Sequence, residues 1–154
     1  MLLLQFNIIG LDYKGGRPKG IQENKGLVRR YNEEIWNRHD LEKYDEFVGG
    51  DVADEYVEQF LTAFPDAPIT MEDLIAEGDK LVARLNATAT NTGLFAGKPP
   101  TGNKVEIHSI RIYRIADNKI VETWAMQDRL GLMEQLGLVQ SAGGTVNWAS
   151  GKKD

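Results

Sequence analysis

The stretch KVEIHSIRIYRIADNKIVETWAMQD, from Lys104 to Asp128, decides the fold. Two runs rich in β-branched and aromatic residues flank a turn at Asp117 and Asn118, which is the pattern of an antiparallel hairpin. Its register determines which side chains share a face, because a slip of one residue turns every later side chain to the other side of the sheet. A two-residue loop of Asp117 and Asn118 sets Arg111 opposite Trp124 and puts His108 on the face opposite Asp128. A three-residue loop, with Asn118 in the left-handed conformation that asparagine tolerates, pairs Ile110 with Trp124, His108 with Met126 and Glu106 with Asp128. The second register gathers Ile110, Ile112, Ile120, Trp124 and Met126 on one apolar face and sends Ser109, Arg111, Thr123 and Gln127 to the other. Burial favours it, and the three-residue loop is the expectation. His108 and Asp128 are then diagonal neighbours on the apolar face, roughly 7 to 8 Å apart at the backbone and within reach of one bridging water.

Asp128 ends the strand and starts a helix, since Leu130, Met133 and Leu136 recur at helical spacing after it. A carboxylate there can cap the helix, or it can serve as an acid or base at a strand end aimed into a pocket. The roles are compatible. A carboxylate at a helix N-terminus is favoured by the dipole, and the same group can face a pocket.

Working outward, the strand before the hairpin, LVARLNATATN, carries an apolar set of Leu81, Ala83, Leu85, Ala87 and Ala89 that ends at Asn91. Its small alanines leave volume for a closely packed helix or for a ligand. Two strands turning at Glu77 to Asp79 are expected between Pro68 and Gly93, followed by the turn-rich FAGKPPTGNK. Three helices precede them. Leu27, Val28, Tyr31 and Ile35 mark one over Gln22 to Arg38, and Asp40 is placed to cap a second carrying Leu41, Tyr44, Phe47 and Val48. A third, from about Asp54, carries Tyr56, Val57, Phe60, Leu61 and Phe64 and stops at Pro65. Asn37 stands where it can end the first helix. Helices first and an antiparallel sheet afterwards predict an α+β domain with the helices on one face of the sheet.

A chain of 154 residues is expected to form a single domain. Residues 1–21 read as an N-terminal extension or edge strand, 22–139 as the domain and 140–154 as a loose, Gly- and Ser-rich tail. Net charge is −5 and no basic run occurs, so nucleic acid is not an expected partner. The absence of cysteine excludes disulfides and thiolate chemistry, and two histidines, His39 and His108, do not make a histidine-rich zinc site within one chain. No Gly-rich phosphate loop sits at a strand-to-helix turn, so neither a nucleotide cofactor nor a metal is expected. MLLLQFNIIG lacks the positive region of a signal peptide, and no apolar stretch is long enough to span a bilayer. The cytoplasm is the default location.

NATATNTGLFAGKPPTGNKV followed by RIADNKIVETWAMQDRLGLMEQLG resembles the SnoaL-like polyketide cyclase family, within the nuclear transport factor 2-like superfamily. The Pro-Pro-Thr-Gly turn at Pro99 to Gly102 and the Trp124 to Asp128 spacing carry the likeness, which covers roughly Glu23 to Val139. It implies a cone-shaped α+β domain, a homodimer formed through the exposed sheet face and a small hydrophobic or aromatic polyketide-like ligand. It assigns the acid/base role in a cofactor-independent intramolecular aldol closure to Asp128, and the shared face makes His108 the candidate assisting group. Trp124, Met126, Ile110, Asn91 and Asn37 are the candidate substrate contacts. Many relatives carry His where this chain has Asn91, and the first twenty residues have no counterpart. The alternatives are an epoxide hydrolase or isomerase on the same fold, and a non-catalytic small-molecule-binding or association module in which Asp128 only caps.

Overall fold

The computed structural model describes residues 20–49, 52 and 55–140, so residues 1–19 of the expected extension (1–21) and 141–154 of the expected tail (140–154) lie outside the described residues. Helix α1 runs Ile21–Tyr31 and continues without a break into a wider π-helical turn, Asn32–Asn37. The apolar positions read from the sequence, Leu27, Val28, Tyr31 and Ile35, are all buried. The extra residue per turn in the π segment lets Asn32, Ile35 and Trp36 all face inward. Asn32 and Asn37 from this turn both donate to the Ile69 carbonyl, and the Asn37 side-chain oxygen accepts from the Ile69 N–H at 2.8 Å. They fix the start of the sheet.

The second expected helix is a 3-10 turn, Leu41–Lys43, leading into a short α2, Tyr44–Phe47. Asp40 does not cap it. Its carboxylate instead pairs with the Lys43 ammonium at 2.8 Å, and Asp40 and Glu34 together raise the Lys43 pKa above its usual value. Helix α3, Glu55–Ala63, ends before Pro65 as expected.

Four antiparallel strands follow in the order β1-β2-β3-β4: Ile69–Glu77, Lys80–Thr90, Lys104–Ala116 and Lys119–Gln127. Helix α4, Arg129–Gln135, closes the domain. The helices cover one face, where Tyr31 meets the rings of Tyr44, Phe47 and Tyr113, and Trp36, Phe60, Phe64 and Phe95 form a second aromatic chain. This is the expected α+β arrangement. Among the described residues no helix is long and apolar enough to cross a membrane.

The β3–β4 register differs from the expected one. Asp117 and Asn118 both adopt left-handed φ values, 50° and 62°, and form a two-residue turn that pairs Ala116 with Lys119 and Ile115 with Ile120. The ladder then shifts, Arg114 pairing with Glu122, so that Val121 is the extra residue of a β-bulge. Beyond it Ile112 pairs with Trp124 and Ile110 with Met126. The grouping of His108, Ile110, Ile112, Trp124 and Met126 on one side therefore holds, but Ile120 leaves that group for the core. The burial is inverted too. Trp124 is 47% and Met126 77% exposed on the outer face, while Val105, Ile107, Arg111, Tyr113 and Ile115 are buried beneath the helices. The apolar face of β2, Leu81 to Ala89, made that choice, because these residues pair with the odd-numbered residues of β3.

The loop after β2 is bound to α3. The Thr92 and Gly93 N–H groups donate to the Ala63 carbonyl, and a Cβ on Gly93 would sit 2.0 Å from the Thr62 carbonyl oxygen. Gly93→Ala is therefore expected to lose roughly 2 kcal/mol or more of stability in urea unfolding, because backbone rather than a flexible side chain must move. On the outer face, Arg114 holds the Glu122 carboxyl below its usual 4.5 through a side-chain hydrogen bond. A depressed carboxyl stabilises the fold above its unfolded pKa and loses that contribution as pH falls through the folded value. The melting-temperature gap between the wild type and Glu122→Gln is thus expected at pH 7 and shrinks on acidification below about 4.5.

Candidate functional site

The outer face is organised in cross-strand rows. Ile75, Val82, Ile112 and Trp124 form one, and Asp73, Arg84, Ile110 and Met126 the next. A third runs Thr70, Asn86, His108, and the Asp128 N–H continues it by donating to the His108 carbonyl at 3.4 Å. His108 and Asp128 are thus direct cross-strand neighbours, closer than the diagonal placement expected. The His108 Nδ1 lies 2.9 Å from the Asn86 side-chain oxygen, and the imidazole is exposed.

Asp128 stands where β4 hands over to α4. Its carboxylate accepts from the Gly131 N–H at 2.9 Å, so it caps the helix, and it is exposed. Gly131 suits this close approach, since a Cβ there would lie 2.3 Å from the carboxylate. Where β4 stops, α4 takes its place beside β3: Gln135 both accepts from the Glu106 N–H and donates to the Glu106 carbonyl.

The other predicted contacts divide. Trp124, Met126 and Ile110 share the outer face with His108. Asn91 is buried elsewhere, its amide donating to the Ala63 and Gly93 carbonyls and its oxygen accepting from the Thr101 N–H and hydroxyl. Every bonding position of that amide is filled, and three of its four bonds tie the Pro-Pro-Thr-Gly turn to the end of α3. Asn37 is likewise engaged with Ile69.

A recess opens under the inner face, between the π turn, α3 and the sheet. Trp36, Tyr56 and Phe60 line it from the helices and Ser109, Arg111 and Gln127 from the strands, over a floor that includes Leu85 and Ile107. Its free interior is about 20 Å³, room for about one ordered water, and it encloses about 300 Å³ of empty space when its open mouth is counted. The Tyr56 hydroxyl hydrogen-bonds the Gln127 side-chain oxygen across it. The Arg111 guanidinium lies 4.2 Å from the Trp36 ring centre and 5.9 Å from that of Tyr56. Sequence reasoning assigned Arg111, Ser109 and Gln127 to the face away from the site. The signal that identifies them is the run Val105, Ile107, Tyr113 and Ile115, which makes the odd-numbered face of β3 as apolar as the even one.

The family model for SnoaL-like polyketide cyclase matches residues 54–136, more than half of the chain. Among solved structures, AclR from Streptomyces galilaeus, named a "putative hydroxylase", is 30% identical, with 79% of this chain and 85% of that one covered at a TM-score of 0.70. IdmH from Streptomyces antibioticus, named a "putative polyketide cyclase", is 28% identical, with 74% and 98% covered at 0.62. A protein of the same description from Acidithiobacillus ferrooxidans is 25% identical, with 78% and 99% covered at 0.66. No curated protein matches. With more than half of its length matched by the family model, and a fold shared with these structures, the chain belongs to the SnoaL-like polyketide cyclase family.

Proposed function

We propose that the protein is a cofactor-independent acid/base enzyme of the cyclase type, acting on a small, carbonyl-rich, polyketide-like molecule. The observation that supports this reading is the direct cross-strand placement of Asp128 beside His108 at the end of an apolar strip. The names of the relatives divide between cyclase and hydroxylase, so the reaction is read from the residues. The Asp128 carboxylate takes a proton from carbon next to a carbonyl. The resulting enolate attacks a second carbonyl of the same molecule, forming the ring bond and an alkoxide, and the alkoxide recovers the proton from Asp128. His108 polarises a carbonyl beside the carboxylate. Holding both carbonyls in one folded substrate replaces a bimolecular encounter.

Asp128 and His108 are exposed in the single chain, and such chemistry works best where water is excluded. Cover is available. An antiparallel sheet that packs helices on one face usually turns polar residues to the other, yet here Ile75, Ile110, Ile112, Trp124 and Met126 are exposed together. A second copy laid on this strip buries it and brings apolar surface up to Asp128. Epoxide hydrolysis through an Asp-Arg-Asp set is disfavoured: Arg111 lies on the inner face, where no described residue lining the recess is a carboxylate, and Arg84, which lies on the outer face and not away from Asp128 as expected, is paired with Asp73 two strands away from the strand that ends at Asp128.

A second reading, a non-catalytic binding module, is favoured by one observation: the Asp128 carboxylate already serves as a helix cap. Asp128→Asn separates the two, since asparagine caps nearly as well as aspartate but carries no transferable carboxyl proton. The catalytic reading expects turnover of an aromatic polyketide-like ester to fall by more than 100-fold (roughly the low end of an acid/base contribution) with the melting temperature little changed. Normal turnover by the Asn variant removes the cyclase assignment. For the strip, sedimentation is expected to give a dimer for the wild type and a monomer for Met126→Lys, and a wild-type monomer would refute the pairing.

A further inference from the structure

We propose that the recess beneath the sheet is an anion site, taking the carboxylate end of a small ligand, with the Arg111 guanidinium and the Trp36 indole N–H as its two anchors. Arg111 is only 7% exposed and Trp36 1%. Arg111 has no hydrogen bond or ion pair among the described residues, and its buried Nε is without an acceptor, as is the buried Trp36 Nε1. Other arginines of the sheet behave differently. Arg84 pairs with Asp73 and Arg114 with Glu122 on the outer face. The cross-strand neighbours of Arg111 are Ala83 and Ala125, which offer no acceptor and take up little room.

A guanidinium removed from water without a counter-charge is unfavourable, and stacking on Trp36 recovers only part of the loss. One ordered water can bond a donor but cannot neutralise the charge. An anion does both, and a carboxylate matches the planar N–H geometry of the guanidinium. Tyr56 and Phe60 line the recess beside Trp36, so a flat apolar body attached to that carboxylate finds aromatic walls. The site lies on the other side of the sheet from His108 and does not depend on the role given to Asp128.

The test uses the full chain, with acetate as the probe and acetamide as its neutral analogue at constant ionic strength. The Arg111 Nε–H and Trp36 indole N–H resonances are followed by nitrogen-15 NMR. Acetate is expected to shift both signals saturably in the millimolar range, acetamide to shift neither, and Arg111→Gln to weaken the acetate response of Trp36 at least tenfold. Asp128→Asn should leave the response intact, so that failure here and failure of the cyclase reading are separate results. The proposal is overturned if acetate moves neither signal, if acetamide moves them equally, or if Arg111→Gln binds acetate as the wild type does. Should Arg111→Gln not fold, Arg111→Met retains the apolar stem, and the comparison of acetate with acetamide on the wild type decides by itself.

Discussion

One extra residue, Val121, sets the facing of the whole β3–β4 hairpin. The left-handed turn at Asp117 and Asn118 starts the ladder in a register that points Ile120 and Ile115 into the core. Without the bulge, Trp124 would lie opposite Arg111 and one of them would be on the wrong side. The bulge shifts β4 by one residue, so that Thr123, Ala125 and Gln127 continue on the Ile120 side and Trp124 and Met126 turn out. Both faces of the sheet owe their chemistry to that step.

The two faces differ in kind. The outer one is an exposed apolar strip that ends in a polar row, Asn86, His108 and then Asp128, at the free edge of the sheet. The inner one is a closed aromatic core with a single buried cation in it among the described residues. Gln127 and Asp128 are adjacent in the chain, yet one lines the recess and the other caps α4. The end of β4 is thus where inner and outer chemistry meet, and the family motif from Trp124 to Asp128 spans the meeting point.

Fixed points elsewhere hold this edge in place. Asn91 ties the Pro-Pro-Thr-Gly turn to α3, Asn37 and Asn32 tie the π turn to the start of β1, and Gln135 extends β3 sideways into α4. Each is an amide bonded to backbone groups of a distant segment, which is how a small domain anchors loops without disulfides. A motif residue can therefore be a strut rather than a contact, and Asn91 is the clearest case.

The sequence by itself determined the order of elements, the α+β class, the helix faces carrying Leu27, Val28, Tyr31 and Phe60, and the strand-to-helix junction at Asp128. These depend on periodicity and on capping and turn residues, which act over a few positions. It also placed His108 and Asp128 on one side, because the expected and observed registers differ by two residues and so keep the same alternation. Which side was inside could not be read from β3 alone, where Ile110 and Ile112 on one face balance Ile107, Tyr113 and Ile115 on the other. Tertiary structure decided it: β2 offers only one apolar face, its pairing with β3 turns Arg111 inward, and the helices bury that side. A buried arginine has no local signature, since its cost and its partners come from residues such as Trp36 that are distant in the chain.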